Sequence, residues 1–318
     1  MTTKQIILAD VMGYCWGVRR ALDIISSAGN PERPVATIGD VIHNPQIVER
    51  LKTRGVDTAD SVSEAVERGF SRVAITAHGA GPERTAEAEE HGLELIDTTC
   101  PLVTKVQRLA QKLVRQGYFL VMYGDSYHPE VRGVLAWAGT SRAVAAKKPE
   151  QLPWNEPRGA EDDEARIPPR KVALVSQTTK NVDDFMAFAQ TLTAMVARDG
   201  GEIRIVNTIC EPTTQRQNAL RRLAGQVDLI LAIGGKKSSN TARLAEVGRS
   251  YGVPSYHIES EAEIDDAWLD AADTVGVTAG ASTPDDVIAA VVRDLQRRGY
   301  AGPAAEPVVP DLDQLPAY

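Results

Sequence analysis

Three times along this chain a short apolar run meets a polar stop, a single cysteine and then an amphipathic helix. In residues 93–114, LELIDTTCPLVTKVQRLAQKLV, Leu93, Leu95 and Ile96 read as a strand, and Leu102, Val103, Val106, Leu109, Ala110 and Leu113 recur at helical spacing. Pro101 suits the first helical position, because its missing N–H is one that a helix start leaves unpaired anyway. Cys100 then falls at the N-cap, beside unpaired amides and the positive end of the helix dipole, where a thiol is expected to ionise more readily. Residues 202–223, EIRIVNTICEPTTQRQNALRRL, repeat the pattern around Cys210, and residues 5–25, QIILADVMGYCWGVRRALDII, repeat it around Cys15. The chain has three cysteines, so all of them sit at strand-to-helix corners. A lone free cysteine is ordinarily a small buried hydrophobe; three in equivalent positions point to shared chemistry.

Between these corners, strands are expected at 34–38, 72–75, 118–122, 171–175, 228–233 and 274–277, each ending in a polar turn and followed by a helical pattern. Alternating strands and helices imply parallel sheets, whose ligands bind beyond the carboxyl ends of the strands. The fold class read from this is α/β, built of three similar small parallel-sheet units. The expected units are 1–99 with Cys15, 100–207 with Cys100, and 208–301 with Cys210. Within the second, 149–169 reads as an acidic, proline-rich surface loop, and 302–318, with four prolines, reads as a tail. If the three units face one another about an approximate threefold axis, their polar corners converge on one central cavity.

At 318 residues the chain exceeds a single core of typical size. Its formal charge of -8 offers no general attraction to nucleic acid or anionic membrane. An odd, low cysteine count argues for a reducing compartment rather than a disulfide framework. The N-terminal apolar run is too brief for a secretory signal and no stretch approaches a membrane span, so a cytoplasmic location is expected.

Three converging thiolates are able to hold a zinc ion with a fourth ligand, or three irons of a cubane cluster, and the spacing does not choose between them. The other corners carry His43, His78, His128, Ser238, Ser239, Asn240 and Ser282, a donor-rich set suited to a phosphate or diphosphate near helix N-termini. His91 and His257 read as structural. GGKKSSN at 234–240 lacks the spacing of a Walker A loop, so no nucleotide is expected. Glu130, two residues after His128, is the carboxylate placed to act as a proton donor if its burial raises its pKa, with Thr178 and Thr179 available to relay or orient the proton. These residues suit a reductase that expels a hydroxyl as water. They also leave open a redox-neutral iron-sulfur hydratase and a zinc-stabilised protein that binds a phosphate ligand.

GYCWGVRRAL at 13–22, IHNPQIVERL at 42–51, TAHG at 76–79, DTTCPLVTKV at 97–106, YHPEVRG at 127–133, SQTT at 176–179, SSNTARLAE at 238–246 and GVTAGASTPD at 276–285 resemble, in order, the IspH/LytB family of 4-hydroxy-3-methylbut-2-enyl diphosphate reductases. The resemblance implies a three-domain α/β trefoil with one 4Fe-4S cluster on Cys15, Cys100 and Cys210. By motif it makes His43, His78, His128, Thr178, Ser238, Ser239, Asn240 and Ser282 substrate-binding, and Glu130, Thr178 and His128 catalytic. It further implies reductive loss of an allylic hydroxyl, giving isopentenyl and dimethylallyl diphosphate in the methylerythritol phosphate route, with electrons from a ferredoxin or flavodoxin type donor.

Overall fold

Strands form at the short apolar runs, and several stop where the run meets Gly, Asp or Thr, as at Gly39, Asp60, Thr76, Gly124, Gly234 and Gly280. A computed structural model of the chain describes residues 4–155, 168–198 and 200–302. In chain order the first part is β1 (Gln5–Leu8), α1 (Trp16–Ala28), β2 (Val35–Ile38), α2 (Pro45–Lys52), β3 (Val56–Ala59), α3 (Val62–Glu67), β4 (Arg72–Ile75), α4 (Pro82–Glu90) and β5 (Glu94–Asp97). Then come α5 (Pro101–Arg115), β6 (Phe119–Tyr123), α6 (Pro129–Ala138), β7 (Ala143–Ala146), β8 (Lys171–Ser176), α7 (Val182–Arg198) and β9 (Glu202–Ile205). The last part is α8 (Glu211–Ala224), β10 (Leu229–Ile233), α9 (Ser239–Ser250), β11 (Ser255–Ile258), α10 (Asp266–Leu269), β12 (Thr274–Ala279) and α11 (Asp285–Arg297). Of the expected loop, 156–167, and of the expected tail, 303–318, lie outside the described residues.

The strands make three four-stranded parallel sheets with one shared order: β3-β2-β4-β5, β7-β6-β8-β9 and β11-β10-β12-β1. The third sheet takes its fourth strand from the start of the chain, with Ile6 opposite Val275 and Leu8 opposite Val277. Sheet membership is therefore offset from the cysteine-to-cysteine repeat, because each cysteine follows the last edge strand of its sheet. The chain divides into two compact units, one of residues 1–23, 42–54 and 211–318 and the other of residues 24–41 and 55–210. The first holds the third sheet, and the second holds the other two.

Sheets covered on both faces need strands apolar on both faces. In β10, Leu229, Leu231 and Ile233 face a cluster completed by Val287, Ile288, Val291 and Leu295 of α11. The alternate residues Ile230 and Ala232 face Leu220 and Leu223 of α8 and Leu244 and Val247 of α9. β6 and β8 do the same in the second unit. Val121, Val172 and Leu174 meet Phe185, Phe188 and Leu192 of α7, while Leu120, Met122 and Val175 meet Val106, Ala110 and Leu113 of α5 and Val131 and Val134 of α6. Each such aliphatic side chain contributes about 1.5–3 kcal/mol by leaving water. Among the described residues no helix is long and apolar enough to cross a membrane.

Candidate functional site

In the second unit, β6 ends at Tyr123 and the chain turns through Gly124–Tyr127 into α6. His128 is the N-cap and Pro129 the first helical residue. The His128 Nδ1 accepts from the Glu130 amide at 3.2 Å. An accepting Nδ1 leaves Nε2 as the ring nitrogen that donates whenever the ring is neutral. Glu130 is 2% exposed. Because β8 pairs beside β6, the turn after β8 reaches it: Thr178 donates its amide to Glu130 Oε1 and its hydroxyl to Oε2, both at 2.7 Å. Burial pushes the Glu130 carboxyl up to about 7, against a downward pull from the Thr178 bonds and from Lys180. This acid is neutral at mildly acidic pH and poised to give up a proton near neutrality.

The turn after β4 carries His78, whose ring lies edge-on to that of His128 with centroids 5.5 Å apart. Two donors hold this turn by the Ala80 carbonyl, Trp137 Nε1 of α6 at 2.9 Å and Gln107 Nε2 of α5 at 3.3 Å. Gly79 permits it, with φ of 72° and no room for a Cβ beside Gln107 and Val103. Trp137 and Gln107 are positioning residues that sequence reading missed. At helical core positions they give no signal other than apolar periodicity.

In the first unit, β10 runs into Gly234–Lys237 and α9. Ser238 caps α9, accepting from the Thr241 amide and hydroxyl. Asn240 is 4% exposed, and neither its side-chain nitrogen nor its oxygen has a partner. A buried amide left open in this way costs free energy unless a ligand satisfies it. Ser282, in the turn after β12, is also buried. A Cβ on Gly235 would stand 2.3 Å from the His43 carbonyl oxygen, so glycine lets the 234–240 turn lie against the His43 turn, where Asn44 caps α2. His257 was expected to be structural. Its Nε2 donates to the Gly234 carbonyl at 2.8 Å, and burial holds its pKa below the usual imidazole range; it braces the turn that leads to Ser238.

Cys15, Cys100 and Cys210 each directly precede a helix, α1, α5 and α8, and Cys100 is the N-cap of α5 as expected. Their amides donate to equivalent turns of their own sheets, Cys15 to Ala281, Cys100 to Ala77 and Cys210 to Thr178, at 3.0–3.1 Å. Each is half-buried and outside any disulfide. The 4Fe-4S cluster expected on these three cysteines is not supported. Among the described residues, the only group of metal-capable side chains whose ligand atoms all lie within 4.8 Å consists of histidines, His78 and His128 among them, and the three cysteines form no such group. The repeat makes the cysteines topologically equivalent, each after the edge strand of its sheet, and equivalence of position is not proximity. Arg216, 1% exposed, also escaped the sequence reading: its Nε and Nη2 donate to the Gly13 carbonyl, two residues before Cys15, at 3.2 and 2.6 Å.

Comparison with known proteins extends these observations. The LytB protein family profile matches residues 6–296. The 4-hydroxy-3-methylbut-2-enyl diphosphate reductase of Anaeromyxobacter sp. (strain Fw109-5) is 39% identical over 299 residues, 93% of this chain and 99% of the relative. That of Wolinella succinogenes is 40% identical over 299 residues, 94% of this chain and 100% of the relative. The solved structure of the E-1-hydroxy-2-methyl-but-2-enyl-4-diphosphate reductase from Plasmodium falciparum superposes with a TM-score of 0.84 at 22% identity, covering 99% of this chain and 95% of that one, a likeness of fold. It is agreement along nearly the whole length, more than any single motif, that makes this chain a member of the LytB protein family.

Proposed function

We propose that this protein is an oxidoreductase that removes the allylic hydroxyl of 4-hydroxy-3-methylbut-2-enyl diphosphate in the methylerythritol phosphate route to isoprenoids. The carbon–oxygen bond breaks and the hydroxyl leaves as water with one proton. Two electrons and a second proton enter the allyl group, giving isopentenyl or dimethylallyl diphosphate. The observation that carries the reading is the match to the family and to reductases near 40% identity over nine-tenths of the chain, and the buried Glu130 fits the chemistry it demands.

In this reading Glu130 supplies a proton to the departing hydroxyl, since its raised pKa keeps it protonated up to about pH 7. Thr178 holds both carboxyl oxygens and relays the proton. His128 and His78 bind diphosphate oxygens in the second unit. His43, Ser238, Ser239, Asn240 and Ser282 do so in the first, where the open Asn240 amide supports a ligand-binding role. The electrons come from an external carrier of ferredoxin or flavodoxin type. Anaerobic incubation with the substrate and reduced methyl viologen, followed by chromatography of the dephosphorylated products, tests the proposal. Both C5 diphosphates should appear only with reductant; no product sinks the reading, and product without reductant indicates redox-neutral chemistry instead.

A further inference from the structure

Helix α5 has two faces of opposite character. Val103, Val106, Gln107, Ala110 and Leu113 are buried, while Lys105, Arg108, Lys112 and Arg115 stand exposed. Spacings of three, four and three residues place the four cations in one stripe, about 15 Å long at 1.5 Å per residue. The helix, PLVTKVQRLAQKLVR, contains no Asp or Glu. Several other helices carry a cation paired with a carboxylate three or four residues away: Lys52 with Glu49, Arg68 with Glu64, Arg84 with Glu87, Arg243 with Glu246 and Arg297 with Asp294. Among the described residues, Arg108, Lys112 and Arg115 have no ion pair.

Helix energetics explain only part of this stripe. Lys112 and Arg115 lie in the last turn, where a cation favours the helix dipole. Lys105 and Arg108 lie too far from that end to gain from it. Solubility does not call for them either, because a chain of formal charge -8 already repels its own copies.

We infer that the Lys105–Arg108–Lys112–Arg115 stripe is the docking surface for an acidic one-electron carrier protein that feeds the proposed reductase. The inference rests on the reductase reading, which requires two electrons from outside the chain. An acidic carrier and a chain of net negative charge repel except where one local surface has the opposite sign, so the stripe fixes both the encounter and its orientation. α5 starts at Cys100, whose amide is bonded to Ala77 beside His78. The first cation of the stripe is about 7.5 Å along the helix from that corner. Two successive encounters, each oxidising one reduced carrier by one electron, supply one turnover.

Two variants test it, the charge-neutral Arg108→Gln/Lys112→Gln/Arg115→Gln and the charge-reversed Arg108→Glu/Lys112→Glu. With a reduced acidic ferredoxin at low ionic strength, kcat/KM for the ferredoxin should fall about tenfold or more, and its steep decline with salt should flatten. With reduced methyl viologen, a small donor that needs no docking, turnover should stay within about twofold of wild type, which also reports an intact fold. Equal ferredoxin kinetics in variant and wild type would overturn the inference, as would an equal loss with both donors. Loss of RNA or anionic-vesicle binding with ferredoxin kinetics unchanged would overturn it in favour of another occupant. If neither donor drives the wild-type protein, the reductase reading fails and takes the inference with it.

Discussion

Thr178 grips both oxygens of the Glu130 carboxyl, one through its backbone amide and one through its hydroxyl, each at 2.7 Å. A carboxyl held at both oxygens cannot rotate, so the direction in which it offers a proton is fixed by the β6–β8 pairing rather than by its own torsions.

Glu130→Gln keeps the shape of this arrangement and removes the acid. Turnover should drop by about 10²–10⁴-fold, the usual contribution of a positioned proton-transfer group, while KM changes little. In the wild type, kcat should decline as pH rises through about 7, because burial holds the acid neutral below that value. Steady-state profiles between pH 6 and 9 decide the matter; a wild-type profile flat across this range removes Glu130 as the donor.

Thr178→Val deletes the hydroxyl and retains the amide. The lost bond favoured the ionised carboxylate, so the alkaline decline should move to higher pH even as turnover falls by about 10²-fold. A fall in rate with no movement of the profile would mean that the hydroxyl serves packing alone.

The same burial ties Glu130 to stability. A carboxyl whose folded pKa lies above its unfolded value stabilises the fold fully below the unfolded pKa, near 4.5, and that contribution is lost as pH rises through about 7. The urea midpoint of the wild type should therefore fall, relative to Glu130→Gln, between those two values. A wild-type-to-variant difference independent of pH would contradict the raised pKa.

Arg216→Met leaves the buried Gly13 carbonyl without its two guanidinium donors. Denaturant unfolding should show a loss of about 1–3 kcal/mol, the cost of one unsatisfied buried acceptor. No measurable loss would mean that water replaces the guanidinium.

What the sequence reveals follows from where the signal is local. The apolar runs at β1, β2, β4, β5, β6, β8, β9, β10 and β12 are visible because they are bounded by turn residues. β3, β7 and β11, reading VDTA, AVAA and SYHI, are not. All three occupy the same far edge of their sheets, where a strand has one partner, and their short runs are either interrupted by polar residues or built mainly of small alanines. Residues such as His128 and Glu130 are legible as a pair because they are a helix cap and a first-turn residue two positions apart. The grip of Thr178 on Glu130 is not, since it depends on which strands pair. Trp137, Gln107, Arg216 and His257 act by donating to backbone carbonyls, and no side-chain pattern announces a carbonyl in need of a donor. The cysteines mislead for a related reason, because a repeat reports symmetry of position and says nothing of distance.

The borrowing of β1 by the third sheet has a consequence for the order of assembly on the ribosome. The other two sheets are each drawn from one continuous segment and are complete soon after their last strand emerges. β1 is synthesised first, yet its partner β12 begins at Thr274. At 5–20 residues per second the newborn strand waits on the order of tens of seconds for that partner. The Cys15 turn, whose amide bonds to Ala281, is accordingly the last of the three corners to close, and β1 stays without its sheet partner in the nascent chain until β12 has been translated.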